Sequence, residues 1–333
     1  MDNSTARLDI EVVVVCDPVE GQDDNINHLS RNGDRPDQSS LELIRGGLAE
    51  VTDKVVHYSR IDDFVDNITA HRNSVIFPYW FGEVSRNRHA LVPAICEAYG
   101  VPYVGADTYT KSVCNDKHLS KLICYECGLA TPRGLLVTGP DDLSCPADLP
   151  FPAVVKPLFQ GSSLGISEDS LVRDLSAARR VASEIVEVFG WPVLIEEMLI
   201  GREISICVLG DHQSAPEIRA LSWELNGDPA FLDQRLFTYA LKYLDDVQFA
   251  PILAPEVLTP GLRSACEKLF RMLDKVEVLR IDGRLTEKGF SVIELSPDLD
   301  LRPDGELAVV FGEDGYPSLL RRLLINALKR HRS

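Results

Sequence analysis

No stretch of these 333 residues approaches the roughly 18 consecutive apolar positions that a membrane span needs. The opening, MDNSTARLDIEVVVVC, has no basic segment before an apolar core and no small-residue cleavage site. No secretory signal is expected, and a cytoplasmic location follows. Basic residues are short as well: 34 Lys+Arg stand against 51 Asp+Glu, a net charge of -17. That balance disfavours nucleic acid, whose phosphates are bound through a Lys/Arg excess. It leaves room for an anionic ligand, because a few convergent lysines reverse the field inside one cleft. Cysteines lack metal-ligand spacing. The eight are scattered, and the one C-x-x-C, Cys124 and Cys127, sits in the helical-looking SKLICYECGL with no second Cys or His pair at zinc distance. A metal or redox role and two thiols packed in a helix both remain open there, the second being simpler. G-x-x-x-x-G-K-[ST], G-x-G-x-x-G, G-x-S-x-G and H-E-x-x-H are all absent.

What is present is the composition of a globular chain, 45% hydrophobic and 26% charged, long enough for two or three lobes. The first third alternates in type. DIEVVVVCD, KVVHYS, NSVIFPYW and VPYVGA read as strands, with helices at SSLELIRGGLAEV and RHALVPAICEAYG. Such alternation implies a parallel sheet covered by helices. The polar GQDDNINHLSRNGDRPDQ between the first strand and helix is expected to be a mobile loop able to order over a ligand. Further on come a helix at NDKHLSKLICYECGL, the strand AVVKPL, a glycine–serine loop, a long helix, and PVLIEEML. The last third holds more strands, a helix at PGLRSACEKLFRMLDKV and the amphipathic YPSLLRRLLINALKRH.

Two features carry chemistry. LRIDGRL and VIELS, joined by the turn TEKGF, form a hairpin pattern. Alternation puts Arg280 and Asp282 on one face, with Glu294 and Ser296 across from them. Two carboxylates beside an arginine suit Mg²⁺, which takes one or two carboxylates plus substrate phosphates. A solvated strand face with a cross-strand ion pair explains the same spacing. The second feature is VVKPLFQGSSLGIS, where Lys156 ends a strand before a loop rich in backbone N–H groups. Taken alone it is either a surface hairpin or a phosphate clamp. Lys117 and Lys242 gain meaning only if they converge with it.

In that order, NDKHLSKLICYECGLATP, VVKPLFQGSSLGIS, LIEEMLIGREISICVLG, FTYALKYL and LRIDGRL…FSVIELSP resemble the ATP-grasp superfamily, and most of all D-alanine–D-alanine ligases and related amino-acid ligases, over roughly residues 90 to 333. The resemblance implies an α/β (α+β) ATP-grasp fold: an N-terminal parallel-sheet domain (1–112), a central lid subdomain (113–203) and a C-terminal catalytic subdomain (204–333). It implies ATP and Mg²⁺, two ions, with Mn²⁺ as an alternative. Lys117 and Lys156 match the phosphate contacts, and Glu196, Glu197 and Leu199 match the adenine segment. Glu203 matches the ribose acid. Lys242 matches the lysine of the loop closing over the γ-phosphate. Gly161, Ser162 and Ser163 belong to the glycine lid, with Ser162 and Tyr243 matching a serine–tyrosine latch. Arg280 matches the arginine that stabilises the tetrahedral intermediate, and Asp282 and Glu294 match the metal ligands. A homodimer is usual in that family.

The departures fall at the substrate end. Ser296 stands where the family has an asparagine ligand, and Asp298 or Asp300 is a candidate to supplement it. The second-substrate turn S-P-G-M-T becomes SPDLDLRP, whose acids suit an amine and whose Arg302 suits a carboxylate. CDPVEGQDDNINHLS replaces the glycine-rich first-substrate stretch, and FPYWFGEV keeps Glu83 without the usual histidine. The expectation is an ATP-dependent carboxylate–amine ligase acting through an acyl phosphate on small amino-acid substrates, L-amino acids or specialised metabolites, with no nucleic-acid or membrane partner. An authentic D-alanine–D-alanine ligase, an intramolecular cyclising ligase and a non-catalytic nucleotide-binding scaffold are the alternatives.

Overall fold

The computed structural model describes residues 7–19, 26–82, 85–144, 149–211, 214–243, 247–298 and 302–332. In chain order the N-terminal elements are β1 (Leu8–Cys16), α1 (Gln38–Val51), β2 (Thr52–Tyr58), α2 (Ile61–Asn67), β3 (Val75–Tyr79), α3 (Leu91–Tyr99), α4 (Thr108–Asn115) and α5 (Lys117–Glu126). The central ones are β4 (Gly134–Val137), β5 (Ala153–Pro157), β6 (Leu171–Val172), α6 (Leu175–Phe189) and β7 (Val193–Glu197). Last come β8 (Arg202–Leu209), β9 (Glu217–Leu225), α7 (Tyr239–Tyr243), β10 (Phe249–Leu253), α8 (Pro260–Leu273), β11 (Val278–Thr286), β12 (Gly289–Ser296), α9 (Glu306–Phe311) and α10 (Tyr316–Arg332).

Three sheets result. β2-β1-β3 is parallel, as a run of four buried valines in β1 requires of a strand covered on both faces. The other two, β10-β9-β8-β11-β12 and β4-β7-β5-β6, are antiparallel. VPYVGA is not a full strand. Only Tyr103 bridges to Ile76, for Pro102 has no N–H to give and contributes just its carbonyl.

Alternation along β8 and β11 separates core from cleft. Ile204, Ile206, Val208, Leu279 and Ile281 pack into a core with α4, α5 and α8. Cys207, Leu209 and Val278, on the opposite face, join β1, α1, α9 and α10 in a second core. The four-stranded sheet packs on α6 through Ala153, Val155, Ala178 and Ile185. Because α4 and α5 share the core of the C-terminal sheet, the chain segments 1–112, 113–203 and 204–333 are proposed here only as a division of sequence, and the 112/113 boundary cuts α4. The C-x-x-C thiols belong to this packing. Cys124 is buried and pushed up to about 12 by desolvation, and Cys127 Sγ lies 3.9 Å from Met272 Sδ.

The β1–α1 connection, expected to be mobile, is tied down over the described part, residues 26–37. His28 O accepts from Gly165 N at 2.6 Å, Val188 O accepts from Arg31 Nη2 at 2.8 Å, and Gly33 O accepts from the Tyr239 hydroxyl at 2.8 Å. This strap therefore touches the glycine loop, the end of α6 and the start of α7 together. Gly165 has φ 77, and a Cβ there would meet Pro157 Cδ at 2.6 Å. Gly165→Ala should destabilise the fold by more than about 1 kcal/mol, measured by urea unfolding; an unchanged midpoint would show the loop adjusts freely.

Candidate active site

Residues from the start of α5, the central sheet and the C-terminal region converge on one cleft enclosing about 1000 Å³ of non-atom space, mouth included. From the central sheet come Val154 and Lys156 of β5 and Glu196 of β7, which pairs with Val154 in register. Lys117 starts α5, where Asp116 caps the helix by accepting from His118 N and Leu119 N at 3.0 and 2.9 Å. The cap fixes the first turn and so aims the lysine.

The floor is β8, β11 and β12. Asp282 lies opposite Glu294, Arg280 opposite Ser296, and Ser205 on the other flank opposite Asp282. The register then skips Ile293, a bulge that leaves both Ile293 and Glu294 facing the cleft. Ser205 Oγ donates to Asp282 Oδ1 at 2.8 Å and Ser296 Oγ to Oδ2 at 3.3 Å. Arg280 Nε donates to both Asp282 oxygens at 2.9 and 3.0 Å, and Nη1 to Glu306 Oε1 at 3.1 Å.

The cations are matched with care. Lys117 Nζ is 3.2 Å from Glu294 Oε2 and also donates to Gln160 O in the glycine loop. Lys156 and Lys121 each hold one oxygen of the buried Glu196. Burial alone would raise the Glu294 pKa, but Lys117, Lys156, Lys242 and Arg280 outweigh it and bring the acid to about 2. Burial lowers Lys117, with Glu294 opposing. Glu203 is raised by burial despite Arg284 Nε donating to it at 2.9 Å.

The donor set suits the groups that the pattern implies. Two facing carboxylates, one held ionised, flanked by serine hydroxyls, are hard oxygen donors of the kind Mg²⁺ takes alongside phosphate. Among the described residues no three His, Cys, Asp or Glu are placed to hold a metal by themselves. A lining that combines three lysines with the apolar Leu199, Trp223, Leu236 and Phe237 fits a phosphate chain and a base.

A family model described as D-ala D-ala ligase C-terminus matches residues 142–296. The uncharacterized protein y4sG of Sinorhizobium fredii is 29% identical over 269 residues, 79% of this chain and 77% of that one. A D-alanine–D-alanine ligase of Corynebacterium aurimucosum is 30% identical over 281 residues, 80% of this chain and 75% of the relative. The chain belongs to the D-alanine–D-alanine ligase family. The fold agrees: the Bacillus anthracis D-alanine–D-alanine ligase complexed with ATP superposes with TM-score 0.72 at 18% identity, over 97% of this chain and 99% of that one. The architecture is thus that of the ATP-grasp ligases, and the protein is an ATP-dependent carboxylate–amine ligase of this family.

Of the residues singled out in the sequence, Lys117, Lys156, Ser163, Glu196, Glu197, Leu199, Glu203, Lys242, Arg280, Asp282 and Glu294 line the ligase cleft. Lys242 lies over the Phe237 ring at 4.5 Å. Gly161 is not in the lining, and Ser296 reaches it only through Asp282. The expected Ser162–Tyr243 latch is not formed. Ser162 and Ser163 have φ 53 and 57, and this double left-handed turn sends Ser163 Oγ to Phe237 O at 2.6 Å instead. Tyr243 is half exposed and lies tilted against Tyr239, with ring centroids 4.8 Å apart. Asp298 lies outside the lining, held by Lys111 and His89 and brought to about 2 by them against its burial. Arg302 is exposed and outside the lining. Glu83 and Asp300 lie outside the described residues.

Sequence reasoning missed Arg284 and Glu306, which line the cleft, and Lys121, which lies outside the lining and holds Glu196. Lys121 sits one helical turn from Lys117 on the same buried face, a spacing that was visible. Burial brings it from 10.5 to about 7, with Glu196 opposing. Between those values the unfolded chain binds more protons, so this group makes stability rise as pH climbs from about 7 towards 10.5. Lys121→Met should flatten that rise in urea midpoints taken at intervals over that range; an unaltered slope would assign it to other groups.

Proposed function

We propose that this ligase activates an amino-acid carboxylate by phosphorylation and joins it to an amine, with substrates other than paired D-alanine: L-amino acids or specialised metabolites. The observation that carries the reading is the convergence of Lys117, Lys156, Lys242, Arg280, Asp282 and Glu294 on one cleft. Lys117, Lys156 and Lys242 would bind the ATP phosphates, Glu196, Glu197 and Leu199 the base, and Glu203 the ribose. Asp282 and Glu294, with Ser296 behind Asp282, would hold Mg²⁺, which when bound offsets charge on the transferring phosphoryl group. Arg280 faces the same floor and would stabilise the oxyanion formed as the amine attacks. The C–N bond forms, the bond from carbon to phosphate oxygen breaks, and the amine loses a proton. The loop at Gly161–Gly165, held by the strap and by Ser163, would exclude water from the acyl phosphate.

A second reading, a D-alanine–D-alanine ligase proper, is favoured by the name of the Corynebacterium relative. Against it stand the loop and turn that differ at both substrate ends. Phosphate release should be screened over amino-acid pairs with ATP and Mg²⁺, and the product masses read. A mass equal to two acids less water supports the proposal. Release with D-alanine alone as efficient as with any pair would establish the second reading, and no release with any pair would remove both. Oligomeric state is proposed as a homodimer and would be read by light scattering.

A further inference from the structure

Arg284 ties three segments of the ligase cleft together. Its side chain is 3% exposed, and Nε donates to Glu203 Oε2 at 2.9 Å. Nη1 donates to Leu199 O at 2.9 Å and to Asp233 O at 3.1 Å, and Nη2 donates to Arg235 O. One buried guanidinium thus fixes the acid on β8, the turn between β7 and β8, and the loop that runs from β9 to Phe237. Phosphoryl transfer and amide formation leave this cation without a task.

Strand register says what lies at Glu203. Along β8 and β11, Glu203 pairs with Arg284 and Ser205 with Asp282. Two residues of a strand span roughly 7 Å, so Glu203 stands one such step from Asp282, towards Leu199. A nucleotide with its base at Leu199 and its phosphates at Asp282 has its sugar between them. Among the described residues Glu203 Oε1 has no hydrogen-bond partner, and the side chain, 14% exposed, lines the cleft. Burial raises the pKa of this acid, and Arg284 is the main influence holding it down. A carboxylate bonded from behind through one oxygen and open at the other is an acceptor for sugar hydroxyls. An analogue without those hydroxyls leaves the acceptor unpaired, which is how a site rejects a ligand that lacks a polar group. We propose that Arg284 is a positioning residue for the ribose: it holds Glu203 and the Leu199 turn as one unit, so that the cleft selects a ribonucleotide over one lacking the 2′- and 3′-hydroxyls. The inference rests on the nucleotide site of the ligase function proposed above and concerns its selectivity.

ATP and 2′,3′-dideoxy-ATP are titrated calorimetrically into the full chain with Mg²⁺, without acid or amine. The wild type should bind ATP at least tenfold more tightly. Arg284→Met should compress that ratio to threefold or less, and Glu203→Ala should do the same. The double variant should match Glu203→Ala, because Arg284 acts through Glu203. Arg284→Lys keeps the charge without the planar fork, and its ratio should lie between those of the wild type and Arg284→Met. Thermal melting without nucleotide reports folding. Where Arg284→Met does not fold, Arg284→Lys carries the test, with a ratio at least threefold below the wild type. A cation that only braces the loops would weaken both nucleotides equally, so a ratio unmoved in the folded Arg284 variant overturns the proposal. A wild-type ratio below tenfold overturns it too. Failure of both nucleotides to bind would bring down the nucleotide site, and this inference with it. Ribose-dependent binding without phosphate release from any substrate pair would bring down the ligase function alone.

Discussion

Glu294→Gln is expected to lower acid-dependent phosphate release by about 10³-fold. The glutamate is ionised at any working pH, since three lysines and an arginine hold it near 2 despite its burial. Glutamine keeps the shape and removes the charge. A metal ion contributes several kcal/mol to a phosphoryl transition state, and each ~1.4 kcal/mol is a factor of ten. Losing one of two facing carboxylates forfeits much of that. Lys117 is affected as well. Its pKa is already lowered by burial, and Glu294 is what opposes the drop. Without that partner the lysine gives up its proton more readily, so KM for ATP should rise alongside the fall in kcat. Initial rates with ATP and Mg²⁺ varied separately would read both effects, with urea unfolding as the control for folding. A rate within tenfold of the wild type removes Glu294 from the metal site.

How much of this site was legible depended on whether the partners were local. The β11–β12 hairpin was readable because a strand period of two and the turn signal TEKGF fix which residues oppose, and Asp282 does face Glu294. The bulge at Ile293 was not readable, because the adjacent apolar Val292 and Ile293 read equally as two neighbours in a buried strand without an extra residue. Lys156 stood out as a lone charge in an apolar strand. Its partner Glu196, and the second lysine on that glutamate 75 residues earlier, are set by how α5 meets the central sheet. Arg284 and Glu306 escaped for the same reason, each reading as a surface charge until Glu203 and Arg280 are brought beside them. The latch shows a different limit. Two adjacent serines are equivalent in a spacing argument, and only the consecutive left-handed backbone turns decide that Ser163 makes the bond.

Arg280→Met carries the other large effect, and it should appear twice. In stability, removing the guanidinium leaves Asp282 and Glu306 without their shared cation. Their side chains are only 13% and 14% exposed, so water repays little of the loss. Removing one partner of a buried pair costs about 3–5 kcal/mol, and partial exposure here argues for the lower end. In catalysis, a donor aimed at a developing oxyanion is worth roughly 10²–10³ in rate. The two consequences separate by assay. With donor acid and ATP alone, single-turnover ADP formation should fall modestly, while amide formation with both substrates falls by the full factor. Arg280→Lys sharpens the contrast, because it keeps a charge between the two acids but not the planar fork that bonds both at once. It should recover more of the stability than of the rate. Equal losses in ADP and amide formation would place Arg280 in phosphoryl transfer rather than in the attack of the amine. An Arg280→Met protein as stable as the wild type would mean that Asp282 and Glu306 find other partners or take up protons.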